Sequence, residues 1–315
     1  MGIFVFLPLV LPLTAWPVAR LAEQRLHPRT ATRLLSGVAG VLALCSTLCL
    51  ALLMVVGTAQ LPGNPLPDGW SDPEVRAAVP YDEVAGKAAI PALIAVVAVC
   101  AATARRHVRV RRRAERALRG LPPTPVAVVA DPVPYAFALP GGRGRIVVST
   151  ALLDGLEPAE RRALFAHERA HLACRHHRFV LTVQLAARAN PFLRPLLTAV
   201  TYTTERWADE EAATAVGSRR TVALAIGRSA LLAPAAGSAG FPGGAGFAGF
   251  AVAGPVPRRV AALLAPAPAG AVWPSVFTTV GLAAWAAAVG TTASAFSSAN
   301  SAVTLFLILR AATPM

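Results

Sequence analysis

Four stretches without a single Asp, Glu, Lys or Arg constrain this fold more than any other feature of the sequence. They are residues 1–19, 34–61, 88–104 and 260–309. A helix needs about 20 apolar residues to cross a hydrocarbon core of roughly 30 Å. With 55% hydrophobic and only 15% charged residues, and a mean hydropathy of +0.55, the chain reads as an integral membrane protein. Spans are predicted at about 2–19, 34–60, 88–104 and 272–292. Residues 1–19 lack the basic n-region and A-x-A site of a secretory signal, so they read as a span. Residues 294–301 are small and polar, and 303–309 are too few to cross alone. That last piece either lies at the interface or packs beside the fourth span.

The net charge is +14, almost all of it arginine, with Lys87 the only lysine. Arg20, Arg25, Arg29 and Arg33 follow the first run, and Arg105, Arg106, Arg109, Arg111, Arg112 and Arg113 follow the third. The loop at 62–87 carries Asp68, Asp72, Glu74, Asp82 and Glu83. Basic loops stay on the cytoplasmic side of a membrane. The predicted topology therefore has the N-terminus and the acidic loop outside and residues 105–259 in the cytoplasm. The Arg, Ala, Pro and Gly usage suggests a bacterial plasma membrane. Because the basic excess borders apolar spans, no direct nucleic acid binding is expected. Cys45, Cys49, Cys100 and Cys174 show no C-x-x-C spacing, which indicates neither a disulfide framework nor a cysteine metal site.

The segment 105–265 reads differently. Residues 125–130, 134–139 and 145–149 look like strands, with Gly141-Gly142 as a turn. Helices are predicted over about 158–179, with Pro158 in the first turn, 191–216 and 220–232. Residues 235–254 are rich in Gly and Ala, with Phe241, Phe247 and Phe250 among them, and read as a flexible linker. The predicted class is an α-helical integral membrane protein with an inserted α+β domain. Its parts are 1–104 with three spans, 105–265 as the domain, and 266–315 with the fourth span and a short tail.

The chemistry is concentrated in the first of those helices. His167-Glu168-Arg169-Ala170-His171 reads H-E-x-x-H. Histidines four apart share a helix face, so both imidazoles can bind one zinc ion, and Glu168 can act as general base on a water. A third ligand is needed. In the next helix Glu205 and Asp209 also lie four apart on one face. Glu205 can complete the site, and Asp209 can accept the outer N–H of a ligating histidine. Tyr202, His176, Arg219 and Arg220 are candidate oxyanion donors. On a continuous helix His176 points about 140° away from His171, which favours a surface role or an indirect one.

H-E-R-A-H at 167–171 with E-R-W-A-D at 205–209 resembles the H-E-x-x-H … E-x-x-A-D pattern of gluzincin membrane peptidases. These include the Ste24/HtpX-type enzymes of family M48 and the BlaR1/MecR1-type enzymes of family M56. Pro134-Tyr135-Ala136-Phe137-Ala138 is similar to their P-N-A-F-A strand, with Tyr135 in place of asparagine, and residues 145–153 are similar to the strand and turn that follow. The resemblance implies one zinc ion held by His167, His171 and Glu205, and Glu168 as base. It also implies substrate backbone bound by β-augmentation along Ala136, Phe137 and Ala138. Three spans, a peptidase domain and a fourth span resemble the M56 type, without its penicillin-binding sensor. The expected activity is zinc-dependent endopeptidase action on the cytoplasmic side, with a transcriptional repressor or the chain itself as substrate. The alternatives are membrane protein quality control of the HtpX type, and a signalling protein that keeps the metal site without turnover.

Overall fold

The computed structural model describes residues 6–64, 66–73, 75, 82–142, 144–232, 255–268, 275 and 277–313. The predicted linker at 235–254 lies outside them. Near the N-terminus the chain forms α1 (Leu7–Val10), a 3-10 turn (Leu11–Thr14) and α2 (Ala15–Arg25). Next come α3 (Pro28–Ala59) and α4 (Asp82–Ala117). Strands β1 (Val126–Val129), β2 (Ala136–Leu139) and β3 (Arg145–Ser149) follow. The remaining helices are α5 (Thr150–Asp154), α6 (Pro158–Ala173), α7 (His176–Ala189), α8 (Arg194–Val216), α9 (Arg219–Leu232), α10 (Val256–Leu264) and α11 (Thr279–Ala311).

Among the described residues, three helices are long and apolar enough to cross a membrane: α3, α4 and α11. The span predicted at 2–19 is not among them. Residues 7–25 form contiguous helical segments in which a 3-10 stretch at Leu11–Thr14 interrupts the α-helical pattern. Pro8 and Pro12 sit in the first turns of α1 and of that stretch, where a missing donor is tolerated, and Pro17 near the start of α2. Those pieces pack along α3, where the Ser46 hydroxyl donates to the carbonyl of Pro8 at 2.7 Å. The other boundaries also move. Helix α3 opens at Pro28, taking Arg29 and Arg33 out of the predicted loop, with the His27 ring accepting from the Arg29 amide. Helix α4 continues past 104 to Ala117, so the basic stretch is helical. From Ala92 to Ala117 it contains neither Gly nor Pro to stop it. Helix α11 starts later than predicted and runs through the polar stretch 294–301 to Ala311. Its last segment therefore continues the same helix, and Ser294, Ser298 and Ser301 are buried against the protein. Large apolar side chains such as Ile94, Val97, Phe296 and Phe306 stay more than half exposed, as a lipid-facing surface requires. Helices α3 and α4 touch through glycines: a Cβ on Gly57 would stand 2.2 Å from the carbonyl carbon of Gly86.

The sheet has the order β1-β3-β2, with β1 parallel and β2 antiparallel to β3. Alternation along the strands gives it two apolar faces. Phe137 and Val147 pack with Ala114 of α4 and Leu118. Ala136 and Val148 pack with Leu164 of α6 and Val222 and Ile226 of α9. A separate core joins Leu35 and Leu42 of α3 to Val183 of α7 and Leu196 and Val200 of α8. Within it, the buried Thr32 hydroxyl meets that of Thr203 at 2.9 Å. The first long apolar helix and the helix carrying Glu205 thus share one core.

Candidate metal centre

Helix α6 begins where the sequence predicts. Glu157 and Glu160 form a capping box around Pro158, satisfying amides that the first turn leaves unpaired. Ala163, Leu164, His167, Ala170 and His171 then recur at helical spacing and are all buried, so the packing that fixes this helix also fixes both histidines. The predicted helix to Phe179 does not continue. Arg175 takes a left-handed conformation (φ 54, ψ 41) and ends α6, and α7 starts at His176. Helix α8 supplies the other side of the site. Residues 202–209 are all buried, so this helix is enclosed on every face.

The two helices bring three ligand types together. The Nε2 atoms of His167 and His171 lie 3.0 Å apart. One Glu205 carboxylate oxygen is 3.5 Å from His167 Nε2 and the other is 3.5 Å from His171 Nε2. Ligand atoms about 2.0–2.1 Å from a tetrahedral ion lie roughly 3.3 Å from one another. Two imidazoles and one carboxylate, held at these separations and facing inward, therefore fit a single zinc-type ion. Glu168 is fully buried beside them, with no charged partner in hydrogen-bonding contact among the described residues and the backbone of Ala138 in β2 as its neighbour. Burial, reinforced by the Glu205 charge, pushes its carboxyl up to about 7, against the opposing pull of His167 and Arg259.

The outer faces of the ligands are also occupied. Asp209 Oδ1 lies 3.1 Å from His167 Nδ1. Burial lowers the His167 pKa, but the Asp209 and Glu205 carboxylates outweigh it and hold the value at about 9. His171 is held well below the ordinary histidine range by its burial. Its Nδ1 lies 3.0 Å from His176 Nδ1. The turn at Arg175 breaks the helical register, so His176 points at His171 instead of away from it, and at 1% exposure it is not a surface residue.

Sequence reasoning missed one residue. Arg259 of α10 is fully buried. Its Nε and Nη2 contact the two Asp209 oxygens at 2.9 and 2.6 Å, and Nη1 lies 3.1 Å from Glu205. The Arg259 guanidinium holds Asp209 well below the usual carboxylate range, against its burial. Arg258-Arg259 is the last charge before fifty uncharged residues, and that isolation was its one sequence signal. The oxyanion candidates fall in different places. His176 meets His171. Arg219 donates to the Ala262 and Leu263 carbonyls at the end of α10 and pairs with Glu210. Arg220 is exposed. Tyr202 packs under the Arg258 guanidinium, 4.4 Å from its ring centre. In β2, Ala136 and Phe137 are buried, Ala138 is partly covered, and the strand lies at the edge of the sheet beside α6.

No curated protein and no solved structure matches the chain. A family model does: residues 101–236 match Peptidase family M48. That segment, from the C-terminal part of α4 through α9, contains His167, Glu168, His171, Glu205 and Asp209, so the similarity to a metallopeptidase family covers the residues that converge in the structure.

Proposed function

We propose that this chain is an integral membrane zinc endopeptidase that cleaves protein substrates on the cytoplasmic face. One observation carries the reading: the His167, His171 and Glu205 ligand atoms lie within 4.8 Å of one another, with the Glu168 carboxylate fully buried next to them. A zinc ion bound there would polarise the scissile carbonyl and make a water acidic enough to attack it at neutral pH. Glu168 is the base. Held against the site, its carboxylate would take a proton from the water and pass it to the departing amine. Asp209 holds the His167 ring from behind, and Arg259 neutralises the Asp209–Glu205 pair in a site where unpaired carboxylates would be costly. The β2 edge, through Ala136, Phe137 and Ala138, aligns the substrate backbone as an added strand. His167, Glu168 and Glu205 are at most 1% exposed, and His171 at 8% is the most accessible of the group.

The family match favours the M48 reading, cleavage of membrane-proximal proteins in quality control, over regulatory cleavage of a repressor by an M56-type enzyme. The test is cleavage of an unfolded protein by the purified, zinc-loaded chain in detergent, beside Glu168→Gln. The expected result is that the variant keeps its zinc and loses at least about 100-fold in rate. Equal rates would remove Glu168 from the chemistry, and a zinc-free wild-type chain would remove the metal site.

A further inference from the structure

We propose that His176 is a positioning residue for the metal site: its Nδ1 accepts the Nδ1–H of His171 and so keeps the His171 Nε2 lone pair directed at the ion. The inference rests on the metallopeptidase reading and extends it to a residue outside the H-E-x-x-H. The two Nδ1 atoms are 3.0 Å apart, and between two neutral rings only one of them can carry the shared proton. If His176 donated, the His171 proton would move to Nε2, which lies 3.0 Å from His167 Nε2 and could not then bind a metal. If His171 donates, Nε2 is bare and correctly aimed. The arrangement does for His171 what Asp209 does for His167 on the other side of the site, and such partners fix ring orientation and tautomer.

The surroundings of His176 are built to hold it. It is 1% exposed, and its ring lies 4.6 Å, centre to centre, from that of Trp207. Trp207 is itself clamped. Its Nε1–H donates to Glu211 at 2.9 Å, and the guanidinium groups of Arg29 and Arg33, from the first turns of α3, stand 5.7 and 5.4 Å from its ring centre. His176 reaches His171 only because Arg175 adopts a left-handed conformation, the sole non-glycine positive φ among the described residues. Backbone strain of this kind persists where the surrounding structure imposes it, and it clusters at functional sites.

The test is zinc affinity, measured by chelator competition on the full chain in detergent, together with the visible absorption of the cobalt-substituted protein. His176→Phe keeps a ring against Trp207 but removes the acceptor. His176→Asn places an amide oxygen at the position of Nδ1. The expected outcome is a 10–100-fold loss of zinc affinity and a changed cobalt spectrum in His176→Phe. His176→Asn should remain near wild type, and thermal unfolding of the metal-free proteins should be alike. Wild-type affinity in His176→Phe overturns the proposal. Equal weakening in both variants, with lowered metal-free stability, also overturns it, because the role is then packing. Absence of zinc from the wild-type chain would instead refute the metallopeptidase reading itself.

Discussion

Arg259 and Asp209 meet fork to fork, with Nε and Nη2 contacting the two carboxylate oxygens at 2.9 and 2.6 Å while both side chains are fully excluded from solvent. The pair lies fifty residues apart in sequence and joins α10 to the helix that carries Glu205.

Removing one member of such a pair leaves a buried charge uncompensated. Arg259→Leu strands Asp209 and Glu205 and should cost about 3–5 kcal/mol. Arg259→Lys keeps the charge but not the planar fork, and should fall between the two. Thermal unfolding in detergent checks the order; a leucine variant as stable as wild type would show that the pair contributes nothing net.

Glu168 should make the metal-free protein pH-sensitive. Its folded pKa, about 7, lies above the ordinary glutamate value of 4.5. The fold therefore favours the protonated form, and the group costs stability as pH rises from about 4.5 to 7. The penalty is full above 7, on the order of 3 kcal/mol at most. Metal-stripped Glu168→Gln should be close to wild type at pH 5 and more stable at pH 8. Parallel pH profiles for the two proteins would contradict this.

Zinc removal should lower the unfolding midpoint, and zinc should restore it. At a free concentration a thousand times Kd the gain is about 4 kcal/mol. Glu205→Ala should abolish the zinc response while the metal-free midpoint is still measurable.

The glycine contact between α3 and α4 leaves no space for a side chain. Gly57→Val would drive a methyl-bearing carbon into the Gly86 backbone, where even Cβ has 2.2 Å. The helices must separate, at a cost of about 1–3 kcal/mol. Gly37, where a Cβ would meet nothing within 4 Å, is the matched control: Gly37→Ala should be neutral or slightly stabilising.

Arg175 carries conformational strain that glycine would not. Arg175→Gly should stabilise the metal-free fold by up to about 1 kcal/mol while preserving the approach of His176 to His171. Zinc titration and thermal unfolding together check both halves.

The convergence of His167, His171 and Glu205 was legible because each lies within one regular helix, where spacing determines direction. His167 and His171 share a turn, and so do Glu205 and Asp209. His176 was misjudged because its direction depends on a helix break at Arg175, and neither Gly nor Pro marks that break. Arg259 was missed because its partners come from another helix, and only tertiary packing unites them. The first apolar run was read by composition, which does not register the 3-10 stretch at Leu11–Thr14 that interrupts its α-helical hydrogen bonding. In α4 the absence of any breaker after Ala92 was the usable signal, and the arginines obscured it.

That unbroken α4 has a mechanical consequence. Its apolar length and the turn that carries Ala114 against the sheet belong to one rod, with no joint between them after Pro91. Thirteen residues beyond Ala104 raise Ala117 about 20 Å along the axis. The apolar length of the helix and the sheet face formed by Phe137 and Val147 are thus held in fixed relation, because the same rod carries both the apolar residues and Ala114, which packs against that face.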